Sequence, residues 1–162
     1  MDSIVEFLKR IFSPQITTVL IAILPISELR GAIPVAIGVF KMSVKEAYLL
    51  SVLGNLIPVF PILIFLEKVS EWLSKKFVWA KGFFNWLFTR TKTKSKIVER
   101  YKAIGLILFV AIPLPVTGAW TGTVAAFLFG IKKRFAFPAI TCGVMIAGVI
   151  VTLATLGVIK IF

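Results

Sequence analysis

Two ionisable residues stand two positions apart where charge is least expected. Glu28 and Arg30 lie in Leu24-Pro25-Ile26-Ser27-Glu28-Leu29-Arg30-Gly31-Ala32-Ile33-Pro34, while residues 11–27 and 31–40 carry no charge at all. Charge at bilayer depth is costly, so such a residue is read first as functional and with a named partner. A carboxylate there can take up and release a proton. A guanidinium offers a planar fork that fits a carboxylate or a phosphate. Ser27 follows Pro25 by two residues and has the right side chain to cap a helix starting there, whose N-terminus favours an anion. Ninety residues on, Ile112-Pro113-Leu114-Pro115-Val116-Thr117-Gly118-Ala119-Trp120-Thr121-Gly122 repeats the pattern without charge, Thr117 standing to Pro115 as Ser27 stands to Pro25. The candidate substrate- or ion-binding residues are Ser27, Glu28, Arg30, Gly31, Pro113, Pro115, Thr117, Gly118, Trp120 and Thr121, with Asn55 from the intervening segment. Against this stands a plainer reading. Glu28 and Arg30 can form a structural ion pair, Trp120 can be a core aromatic, and Pro and Gly are common packing residues in membrane helices.

The elements that would hold these residues are set by composition. Of 162 residues 59% are hydrophobic and only 16% charged, with a mean hydropathy of +0.99. Residues 47–66, 103–131 and 135–159 are free of charge, and each run reaches the roughly 20 residues that a span requires. The chain is therefore expected to be an all-α integral membrane protein forming a single membrane domain over 1–162. Segment 14–66 is a first repeat, 67–102 a basic amphipathic connector and 103–162 a second repeat. Residues 1–13 read as an interfacial helix, with Ile4, Phe7, Leu8 and Ile11 at helical spacing and Asp2 and Glu6 where a signal peptide would be positive.

Pro25 divides 16–40 into halves too short to cross alone, and Pro113 and Pro115 divide 103–131 in the same way. Each broken segment is followed by a basic turn and a Gly-containing span. Paired interruptions in corresponding places point to two re-entrant helical hairpins related as an inverted repeat, with a site where their half-helices meet near the midplane. Segment 70–88 adds a second amphipathic stretch, its Trp72, Trp79 and Trp86 suited to an interfacial belt.

The net charge of +12 is concentrated. Residues 67–102 hold ten of the nineteen basic side chains. Next to spans, such a cluster marks a cytoplasmic loop facing anionic headgroups rather than a nucleic-acid surface. Whether the broken segments return or cross, the count is 13 basic residues on the connector's side against 5 opposite, so the connector is expected in the cytoplasm either way. The chain has no histidine, one aspartate (Asp2) and one cysteine (Cys142). Paired catalytic carboxylates, a nucleophile with its base, and the usual metal ligand sets are missing, so neither an enzyme nor a cofactor is expected.

Glu28-Leu29-Arg30-Gly31-Ala32-Ile33-Pro34, taken with Pro113-Leu114-Pro115-Val116-Thr117-Gly118-Ala119-Trp120-Thr121-Gly122, resembles the small multidrug export protein family. That family is distantly related to the DedA (VTT-domain) membrane proteins. The resemblance implies a multi-pass protein of a bacterial or archaeal cell membrane, with re-entrant hairpins packed on spans and a transport role. Its DedA side implies translocation of polyprenyl-phosphate or other phospholipids, and proton coupling. Three functions stay open on the sequence: a proton-coupled transporter of a small molecule, a lipid translocase, and a structural membrane protein with no transport. The expected partners are the bilayer, anionic headgroups at the connector, a small-molecule or lipid substrate, and a second copy of the chain in a homodimer.

Overall fold

The computed structural model describes residues 12–77, 82, 86, 96–114 and 117–161. The interfacial helix expected over 1–13, most of the connector and Pro115 fall outside the described residues. All regular structure among those described is helical, and the chain divides into two compact units, Met1–Pro58 with Val144–Phe162, and Val59–Gly143.

In the first unit, α1 spans Pro14–Ile23, α2 Glu28–Pro34 and α3 Val44–Leu56. Ser13 caps α1, its Oγ accepting from the Ile16 N–H at 3.4 Å, with Pro14 in the first helical turn, where its missing donor costs nothing. The helix stops before Pro25 and restarts at Glu28. Pro34 lies inside α2, and the next turn, Val35–Val39, widens to a π-helix closed by Phe40 N–H to Val35 O at 3.0 Å. Lys41, at φ 53°, turns the chain, and Ser43 caps α3 through the Glu46 N–H at 3.3 Å.

The starts of α1 and α3 lie side by side. Gln15 Nε2 donates to Glu46 Oε1 at 3.2 Å, and Thr18 Oγ1 lies 3.6 Å from Met42 Sδ. Small residues permit the closeness: a Cβ on Gly54 would stand 2.8 Å from Val19 O and 2.9 Å from Ala22 Cβ. Ile21, Ala22, Ala32 and Val35 form the core, with Phe40 against it.

In the second unit, α4 spans Val59–Lys76, α5 Lys96–Ala111 and α6 Ala119–Leu128. Helix α7, Lys133–Ile161, begins there and ends in the first unit. Helix α6 packs on α4 and α5. It ends in a Schellman motif at Gly130 (φ 62°), with Ile131 N–H on Ala126 O at 2.9 Å and Gly130 N–H on Phe127 O at 3.0 Å. Lys102, near the start of the α5–α6 hairpin, donates to Phe129 O at its finish at 3.1 Å. Lys133 pairs with Glu67 across α4 and α7.

Two helical stretches, Val44–Leu73 and Lys133–Lys160, are long and apolar enough to cross a membrane. Less than half of their most apolar windows is buried, and Leu49, Leu53, Phe65 and Leu153 lie exposed along them. Such a surface suits lipid rather than water. Helix α4 continues through Glu67, Lys68 and Glu71 to Lys76, into the residues read as the amphipathic connector. Charge ends an apolar run, but it does not end a hydrogen-bonded backbone.

Candidate functional site

The expected residues fall into one set per unit: Ser27, Glu28, Arg30, Gly31 and Asn55 in the first, and Pro113, Thr117, Gly118, Trp120 and Thr121 in the second. Each set is described by itself.

Glu28 opens α2 immediately after the break. Its N–H reaches back to Leu24 O at 3.0 Å, and its φ of 46° is left-handed, which is uncommon for a residue with a side chain. Such strain costs on the order of 1–3 kcal/mol and persists only where the surroundings fix it. The carboxylate is buried, at 6% exposure, and its Oε2 lies 3.4 Å from Arg30 Nη2, whose side chain is 30% exposed. One partner is therefore sealed in protein and the other reaches the surface. Gly31 lies one turn from Ser27, and a Cβ there would stand 2.9 Å from Ser27 Cβ. This residue is needed for close approach.

The expected Ser27 cap does not form. Ser27 precedes α2, but its backbone is α-helical (φ −91°, ψ −51°) and its side chain makes no capping bond. A capping hydroxyl needs an extended backbone at its own residue to fold back over the first turn. The Pro25–Ser27 turn is already coiled, so the geometry is lost.

Thr117 does not cap either. The residue before α6 is Gly118, at φ 155° and ψ −164°, a conformation essentially reserved for glycine. The Thr117 hydroxyl faces the break instead. It lies 2.6 Å from Ile112 O and 2.9 Å from Leu114 O, and accepts from Leu114 N–H at 3.1 Å. It thereby holds the turn that Pro113 leaves short of donors. Thr121 Oγ1 donates to Gly118 O at 3.4 Å, and Trp120 is half-buried. The tips of both breaks are apolar and exposed, with Ile26 at 95% and Leu114 at 55%.

Asn55 is fully buried on α3, one turn beyond Ser51, which is equally buried. Ser51 escapes a reading that looks for charge, but its i, i+4 spacing from Asn55 in an apolar run is the available signal. Among the described residues no group of three His, Cys, Asp or Glu is placed to hold a metal.

A family model described as "Putative small multi-drug export protein" matches residues 28–150, from Glu28 through the second break and into α7. Comparison with curated proteins and with solved structures finds no match.

Proposed function

Since the chain belongs to the small multi-drug export protein family, we propose that it is a proton-coupled membrane transporter with Glu28 and Arg30 as its exchange site. The observation that carries this reading is Glu28 itself: a strained, buried carboxylate at a helix break, 3.4 Å from a partly exposed guanidinium. With Glu28 ionised, Arg30 is occupied. Protonation of Glu28 weakens the pair and leaves the guanidinium fork to an anionic group of the substrate. Loss of the proton restores the pair and expels that group.

This predicts the behaviour of purified protein in liposomes. Wild-type flux of an anionic small molecule rises with a proton gradient. Glu28→Gln abolishes the dependence on that gradient, and Arg30→Ala abolishes flux. Unchanged gradient dependence in Glu28→Gln sinks the reading. Flux of a polyprenyl-phosphate probe without small-molecule flux would transfer the site to a lipid translocase, whose substrate phosphate uses the same fork.

The two helix pairs act in this proposal as re-entrant hairpins. The side-by-side starts of α1 and α3, the Lys102–Phe129 bond and the apolar tips support that arrangement. A tip bearing Ile26 or Leu114 is apolar, and its side chain gains by leaving water for membrane depth. The basic connector then faces the cytoplasm. In a Cys142→Ser background, cysteines at Ser13 and Ser43 label with an impermeant thiol reagent from one side of the membrane. Cysteines at Tyr101 and Lys132 label together from the other. Labelling of either pair from opposite faces means that its segment crosses.

A further inference from the structure

Four buried threonines on the helices of this protein share a habit that buried Thr17 does not follow. Thr18, Thr123, Thr152 and Thr155 are all buried, and each turns its Oγ1 back onto the carbonyl four residues earlier, at 2.6–2.8 Å. That bond satisfies a hydroxyl in a membrane without help from any other element. Ser51 sits in α3, where the same bond to Ala47 O is available, and does not make it. Ser51 Oγ is fully buried without a hydrogen-bond partner, and so is Asn55 Oδ1 one turn along. Residues four apart share a helix face, here the face that also carries Ala47 and Gly54, all of it buried. Helix α3 packs on both α1 and α2, so this face looks into the unit.

Thr17 Oγ1, buried on α1, is also without a hydrogen-bond partner, and α1 packs on α3; orphaned oxygens on both helices, two of them on one buried face, call for a ligand. We infer that Ser51 and Asn55 hold buried water inside the first unit. The rise between them is about 6 Å, a separation that one water can bridge. A hydroxyl and an amide offer it both donors and acceptors. The site is polar, as a hydrated pocket must be, whereas apolar cavities stay dry. A cation is the weaker fit, because neither residue supplies charge. On the exchange reading proposed above, this water is a stepping stone for protons to Glu28. The water site itself does not depend on that reading.

The test is thiol exchange in D2O, followed by the infrared S–H stretch of single cysteines in the Cys142→Ser protein. Ser51→Cys exchanges to S–D at least about tenfold faster than Val52→Cys, the adjacent buried apolar position, because exchange needs water at the sulfur. Equal rates overturn the inference. Thermal unfolding gives an independent arm. Ser51→Ala and Asn55→Leu each lower Tm, by about 3 °C, and the double variant falls by less than the sum because both hold the same water. If either single variant is unchanged or raised in Tm, the oxygens are dry and the inference fails. A failed Glu28→Gln transport test with fast Ser51→Cys exchange would remove the proton route and leave the water site standing.

Discussion

Arg30→Ala destabilises the folded protein by about 3 kcal/mol, and Glu28→Gln by clearly less. The asymmetry follows from burial. Removing Arg30 takes a cation 3.4 Å away from a carboxylate that is 6% exposed, and a buried charge that loses such a contact keeps its desolvation cost. Removing the Glu28 charge leaves a guanidinium that is 30% exposed and can turn to water or headgroups. Glutamine also keeps the size of the side chain and does not add to the strain at φ 46°. Unfolding of the purified variants in one detergent, followed by tryptophan fluorescence, checks the order. Equal losses mean that the pair is a packing device with both charges equally sealed. In that case the exchange reading loses its physical basis, because its switch needs one partner able to leave.

Gly54→Val separates α1 from α3 and costs about 3 kcal/mol, at the upper end for overpacking. The added Cβ alone would stand 2.8 Å from Val19 O and 3.1 Å from Val19 Cα. Those are backbone atoms of α1, so no rotamer change relieves the contact. The helix must move as a body, and the Gln15–Glu46 bond at its start breaks with it. Gly38→Ala is the matched control, since a Cβ there meets nothing within 4 Å. A Gly54→Val protein as stable as Gly38→Ala would mean that α1 and α3 do not pack this closely.

The two breaks were legible from Pro25 and Pro113, although Pro34, Pro61 and Pro138 lie inside helices. Pro25 stops α1 and Pro113 stops α5, and the apolar runs after each turn become helix as their length requires. The family was legible from the two motifs that carry those breaks. The caps were not. Ser27 and Thr117 have the right chemistry and the right spacing, but capping depends on backbone angles that a coiled Pro25–Ser27 turn and a glycine-only conformation at Gly118 take away. The span over 47–66 was legible: it lies within the apolar helical stretch Val44–Leu73, along which Pro58 marks the turn between α3 and α4. The i, i+4 relation of Ser51 and Asn55 was present in the sequence. That neither finds a partner depends on what α1 and α2 bring to them, which no local pattern contains.

The solitude of Glu28 has an energetic consequence. It is the one carboxylate within the apolar segments, so a proton-coupled cycle built on it moves at most one proton per chain per turnover. Each pH unit across the membrane then supplies about 1.4 kcal/mol, which supports a tenfold substrate gradient. If the cycle moves one net charge, each 100 mV of potential adds about 2.3 kcal/mol. These terms set a ceiling on accumulation. A single-carboxylate cycle suits a substrate moved against a gradient of tens- to hundreds-fold, and a steeper measured gradient would require a second ion or a second energy source.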